Sequence, residues 1–107
     1  LPIFYSAAAL TVIPSFIEGF GLHAIESLSC ETPVAASKTT SIPEILGKSA
    51  LYFDPHNHKE MADVIQKLLL SADFSKKLVE KGREIIKKYS WEKCARETLR
   101  VYDSFKP

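Results

Sequence analysis

The sequence predicts an α/β fold, a parallel sheet flanked by helices and followed by a helical C-terminal tail. Three observations predict it. Short apolar runs occur at residues 10–13 (LTVI), stopped by Pro14, at 33–37 (PVAAS), opening on Pro33, and at 50–53 (ALYF), ended by Asp54. Segments with helical spacing separate those runs, which is the alternation a helix-covered parallel sheet produces. From Met61 onward the apolar residues recur only at helical spacing.

Taken in order, residues 2–9 (PIFYSAAA) read as a helix feeding the first strand. LTVI is β-branched, apolar and stopped by Pro14, so a buried strand is expected rather than an edge one. The next helix places Leu22, Ile25 and Leu28 or Ser29 on one face and must end before Pro33. PVAAS is the second strand. Ser41 and Glu44 have the spacing of a capping box, in which each side chain satisfies the other's free backbone N–H, and Pro43 suits an early helical position. That short helix runs to Leu46 and closes at Gly47, and ALYF follows as the third strand, ended by Asp54-Pro55. Met61, Val64, Ile65, Leu68 and Leu69 then mark one amphipathic helix, and Leu78, Val79, Ile85 and Ile86 mark a second. A third carries Trp91, Ala95, Thr98, Tyr102 and Phe105, a stripe expected to pack in the core or against another domain, with some apolar surface left exposed.

With 107 residues the chain has the material for one core, and 46% hydrophobic with 25% charged residues are globular proportions. The apolar stretch at residues 1–17 is interrupted by Pro2, Ser6, Thr11, Pro14 and Ser15 and lacks preceding basic residues, so neither a membrane span nor a secretion signal is expected. The chain starts without Met, inside what reads as a packed unit, which suggests a portion of something longer. Cys30 and Cys94 lie far apart and outside any C-x-x-C pattern, pointing to reduced thiols in a cytoplasmic protein. The net charge of +1 hides an asymmetry. Residues 1–55 carry Lys38 and Lys48 against Glu18, Glu26, Glu31, Glu44 and Asp54, a net of −3, and the remainder carries 12 basic and 8 acidic residues, a net of +4. Those basic residues alternate with acids along helical faces, so no nucleic-acid partner is expected. His56 and His58 have no third ligand at a usual spacing, and Asn57 explains that loop as a helix cap, so no metal site is expected.

The chemistry concentrates in SFIEGFGLHAIES, residues 15–27. Gly19 and Gly21 stand between the end of a strand and the first turn of a helix, where glycine admits positive φ and lets a ligand approach the main chain. The helix start presents unpaired N–H groups and the positive end of the dipole, a polar cradle over residues 19–22 at the carboxyl end of a strand. Glu18 precedes the cradle, and Glu26 lies one turn into the helix with His23 on the same side. Carboxylates there suit vicinal hydroxyls of a ribose or hexose. They are poor company for phosphate, so a diphosphate ligand needs cations from outside these residues. A G-x-G before a helix is a weak motif alone, and the glutamates also make sense as charges favouring the dipole. His23 is open too, with an ordinary core or surface histidine favoured over a ligand contact. Ser15 has no G-x-S-x-G around it, so it is expected to brace the loop rather than act as a nucleophile.

The run PSFIEGFGLHAIESLSCETPVAAS, with SIPEILG, ALYFDP, SWEKCARETL and VYDSF after it in order, resembles the carboxy-terminal part of retaining GT-B glycosyltransferases, the group 1 family that includes mannosyl- and glucosyltransferases. The resemblance spans nearly the whole chain. It implies that residues 1–107 are the carboxy-terminal portion of a Rossmann-like nucleotide-sugar-binding domain, with the acceptor domain absent. Glu18 and Glu26 match the family's E-x7-E signature. By resemblance, Glu18 is the residue expected to act in catalysis and faces hydroxyls of the donor sugar, while Glu26 binds the ribose. Gly19, Phe20, Gly21 and Leu22 contact the sugar and the diphosphate through their main-chain N–H groups, and His23 is a further candidate for substrate contact. The resemblance implies a GDP- or UDP-linked donor, a sugar, lipid or glycan acceptor held by the missing domain, and peripheral membrane association of the full-length enzyme. No cofactor is implied; family members usually need no bound metal, and no D-x-D motif occurs here. The isolated chain is expected to be inactive, because an Arg and a Lys from earlier in the same domain usually hold the diphosphate. The alternative is a non-catalytic nucleotide- or sugar-binding module that pairs with another chain. One departure from the pattern is Glu31, where the family commonly has glycine. If that position is left-handed, a side chain there costs about 1 kcal/mol, and Glu31→Gly is expected to stabilise the domain.

Overall fold

A computed structural model describes residues 1–106, and Pro107 lies outside the described residues. Helix α1 (Pro2–Ala7) leads into strand β1 (Thr11–Ile13), followed by α2 (Leu22–Ser29), β2 (Val34–Ser37), α3 (Ile42–Leu46) and β3 (Leu51–Phe53). Three longer helices complete the chain: α4 (His58–Leu70), α5 (Ala72–Ile86) and α6 (Trp91–Ser104). The three strands are parallel and lie in sequence order, Val12 paired with Ala35 and Ala36 with Tyr52.

β2 is central and buried along its whole length, which explains its small residues. Val34 and Ala36 face one core layer with Ile13, Ala24, Leu28, Ile42 and Leu46, and Ala35 faces another with Phe53, Val64, Leu68 and Leu78. Side chains alternate along a strand, so a run of Val, Ala, Ala feeds both layers without crowding either. Helix α5 serves both, with Leu78 in the second and Ile85 and Ile86 against the first. Gly82 allows α5 to approach α2, because a Cβ there would sit 2.9 Å from Cδ2 of Leu28. The last three helices begin on side-chain caps. Asn57, Ser71 and Ser90 accept from the N–H of Glu60 (3.0 Å), Phe74 (3.3 Å) and Lys93 (3.0 Å).

Three expectations need correction. β1 is an edge strand of the described sheet, with Val12 37% exposed, because an apolar run suits an edge as well as a centre when one face is covered. The buried stripe of α2 is Ala24, Ser27 and Leu28, which leaves Leu22 exposed and Ile25 half-buried. Ser41 and Glu44 form no capping box. Ser41 lies in the right-handed helical region (φ −82°, ψ −13°) instead of the extended conformation that turns a cap hydroxyl onto its helix, and its Oγ donates to the carbonyl of Glu18. Of the two settings expected for the α6 stripe the core is not the one seen, since no residue of α6 is buried, and apolar surface is left exposed as expected, with Trp91 77% exposed.

Glu31 adopts the left-handed conformation, with φ of 59°. Its carboxylate also accepts from Nε of Arg83 at 2.7 Å, which ties the end of α2 to α5 and holds the Glu31 carboxyl below its ordinary range.

Candidate functional site

The segment between β1 and α2 opens at the carboxyl end of the sheet, beside the loop that leaves β2. Gly21 caps α2 with φ of 84° and ψ of 55°, a left-handed conformation that glycine adopts without a Cβ clash. Gly19 is not in that region, and a Cβ on it would meet no atom within 4 Å. Among the hydrogen bonds of the described residues, none is donated by the backbone N–H of Gly19, Phe20, Gly21, Leu22 or His23. These amides, at the positive end of α2, are free of partners among the described residues.

Glu18 stands at its mouth, partly buried. One carboxylate oxygen accepts from Oγ of Ser15 at 2.7 Å and lies 3.5 Å from Nε2 of His23. The Glu18 main chain hangs from the neighbouring loop. Oγ1 of Thr40 accepts from the Glu18 N–H and donates to its carbonyl, both at 3.1 Å, and Oγ of Ser41 donates to that same carbonyl at 3.1 Å. Oγ1 of Thr39 donates to the carbonyl of Ser15 at 3.2 Å. Ser15 thus braces the loop, as its sequence context suggests.

Glu26 is held separately. Its carboxylate accepts from the hydroxyl of Tyr5 at 3.1 Å and borders a surface cavity of about 290 Å³ between α1 and α2, with Leu1, Ile25 and Cys30. Burial, and then the Glu26 carboxylate itself, raise the Tyr5 pKa, so the phenol keeps its proton and remains the donor. Oγ1 of Thr32 anchors Tyr5 through its carbonyl at 2.6 Å.

The structure brings Glu18, Gly19, Gly21 and His23 together around the start of α2. It pairs His23 with Glu18 rather than with Glu26, since the first turn of α2 carries His23 back over the loop before it. The side chains of Phe20 and Leu22 turn away into a groove of about 810 Å³ shared with Tyr89 and Trp91, where Phe20 meets Tyr89 edge-on at 5.6 Å. Only their main-chain groups belong to the cradle. Among the described residues no Lys or Arg pairs with Glu18 or Glu26, and no three His, Cys, Asp or Glu residues gather as a metal site. Sequence reasoning missed Tyr5 and the hydroxyls of residues 39–41. The run Thr-Thr-Ser one residue after β2 was the available signal, because consecutive hydroxyls in a loop commonly bind nearby backbone.

An open parallel sheet flanked by helices, with a glycine turn, free amides and the two glutamates gathered around the start of α2, defines a Rossmann-like α/β unit. The chain belongs to the glycosyl transferases group 1 family, whose model matches residues 1–85. It is 37% identical over 102 residues to the O-antigen chain mannosyltransferase B of Escherichia coli, covering 95% of this chain and 27% of that protein. It is 35% identical over 105 residues to the D-inositol 3-phosphate glycosyltransferase of Corynebacterium jeikeium, covering 96% of this chain and 25% of that protein. Among solved structures, the sucrose-phosphate synthase of Thermosynechococcus elongatus superimposes with a TM-score of 0.87 at 32% identity, over 95% of this chain and 26% of the other. The fold is that of GT-B glycosyltransferase domains. The chain spans about a quarter of the length of the curated relatives it matches.

Proposed function

We propose that this chain is the donor-binding part of a glycosyltransferase that moves a hexose, mannosyl or glucosyl, from a nucleotide diphosphate sugar to an acceptor with retention of configuration. The observation that carries the reading is the run of free amides at the start of α2 with a carboxylate held on either side. The amides of residues 19–22 and the α2 dipole receive the diphosphate, whose charge grows as the bond from its oxygen to the sugar C1 breaks. The acceptor hydroxyl forms the new bond to C1 on the face the diphosphate leaves and passes its proton to the departing diphosphate oxygen. Glu18 accepts hydrogen bonds from sugar hydroxyls and orients the ring for that exchange, with His23 beside it. Glu26, on its Tyr5 mount, accepts from the paired ribose hydroxyls. The E. coli and C. jeikeium relatives, by their names a mannosyltransferase and a glycosyltransferase, support the reaction class. Cations for the diphosphate and the acceptor-binding wall come from outside these residues, so the isolated chain does not turn over. The donor base, GDP or UDP, is set there too, as are the acceptor and any peripheral attachment to a membrane.

The test is transfer from labelled GDP-mannose and UDP-glucose by the full-length protein carrying Glu18→Gln. Loss of a hydrogen bond to a charged group predicts a fall on the order of tenfold to a hundredfold. Undiminished transfer removes Glu18 from the mechanism, and nucleotide binding without transfer by the unaltered protein favours a non-catalytic module.

A further inference from the structure

Glu18 is set in a loop whose apolar contacts are peripheral, Phe16 against the ring of His56 at 4.8 Å and Phe20 against Tyr89 at 5.6 Å. Phe16 and Ile17, its neighbours in that loop, are 59% and 81% exposed. What holds Glu18 itself is a set of hydroxyls from the loop after β2. Thr40 grips both main-chain polar groups of Glu18, Ser41 adds a second donor to the carbonyl, and Thr39 holds Ser15, whose own hydroxyl sits on the Glu18 carboxylate. Thr40 makes its two bonds from a φ of 48°, a region that a β-branched residue avoids. The surrounding structure keeps a strained residue where glycine would be relaxed, and glycine has no hydroxyl.

We propose that Thr40 and Ser41 are positioning residues that fix Glu18 against the donor sugar, so that the loop after β2 sets how firmly the sugar is held. The inference rests on the reading of Glu18 as the sugar-facing carboxylate. A clasp on Glu18 strengthens recognition of the sugar and leaves the nucleoside diphosphate, which sits on the α2 amides and Glu26, unaffected. Stability and positioning then move in opposite directions in Thr40→Gly, which relieves the backbone and removes the hydroxyl.

Calorimetric titration of the full-length protein with GDP-mannose against GDP, and with UDP-glucose against UDP, reads the affinity added by the sugar. Thr40→Gly is expected to lower that added affinity about tenfold while the diphosphate alone binds within about twofold and the unfolding temperature holds or rises. Thr40→Ser, which keeps the hydroxyl, is expected to restore it, and Ser41→Ala to lower it in the same sense. In a Glu18→Ala background Thr40→Gly should have no further effect, since the two act as one unit. Full sugar affinity in Thr40→Gly, or an equal loss with and without Glu18, overturns this inference and leaves the role of Glu18 standing. If Glu18→Ala alone leaves the affinity added by the sugar intact, or neither sugar adds any, both readings fall together.

Discussion

Gly19 and Gly21 stand two residues apart and are glycine for different reasons. Gly21 is required by its own backbone, since its φ of 84° places a Cβ against the following carbonyl. Gly19 meets no such demand and faces open space. If that space is where the donor lies, Gly21→Ala destabilises the fold by about 1 to 2 kcal/mol, while Gly19→Ala leaves stability within about 0.5 kcal/mol and weakens nucleotide-sugar binding. Thermal unfolding and calorimetry on the two variants separate the cases; equal affinity in Gly19→Ala would show that no ligand approaches there. The sequence made both glycines visible but not this distinction, because φ belongs to the folded chain. Glu31 shows the same limit. Its left-handed backbone matches the expectation, yet the Arg83 contact appears only when α5 packs beside α2, and Glu31→Gly gives up that exposed pair while relieving φ. The stabilisation expected for the glycine is reduced accordingly.

At the level of elements, the order of strands and helices was legible because period and punctuation are local properties. Partners across the fold were not. Ser41 looked like a cap because Glu44 follows it at the right spacing, but Thr40 at φ of 48° turns the chain so that the Ser41 hydroxyl meets Glu18 instead. Likewise Tyr52, read only as part of a strand, donates its hydroxyl to the carbonyl of Gly47 at 2.5 Å and pins β3 to the turn after α3. Burial pushes its pKa up from 10.0 to about 12. A phenol whose folded pKa is raised contributes stability that is complete below its unfolded value and is lost as pH climbs through the folded one. Alkaline unfolding should therefore steepen between pH 10 and about 12. In Tyr52→Phe that part of the loss disappears, and an unchanged alkaline profile would show that Tyr52 ionises freely.

Over the whole molecule, the core is finished around β2 and two surfaces are left open. The outer edge of β1 carries no partner strand among the described residues, and α6 carries its apolar stripe on the outside of a body that measures 57 × 28 × 23 Å. Trp91, Tyr102 and Phe105 were read as a packing stripe, and the spacing was right. What they pack against is not a matter of periodicity, since a 3.6-residue repeat says that a helix has two faces and nothing of what meets them. The carboxyl end of the sheet is different, because the face proposed to receive the donor is built within this chain, from β1, the start of α2 and the loop after β2. A crystal structure of the full-length protein with bound GDP-mannose or UDP-glucose tests that face most directly. Diphosphate oxygens are expected about 3 Å from the amides of residues 19–22, with the ribose on Glu26 and the sugar on Glu18. A donor seated elsewhere, with those amides and both carboxylates facing only water, would contradict it.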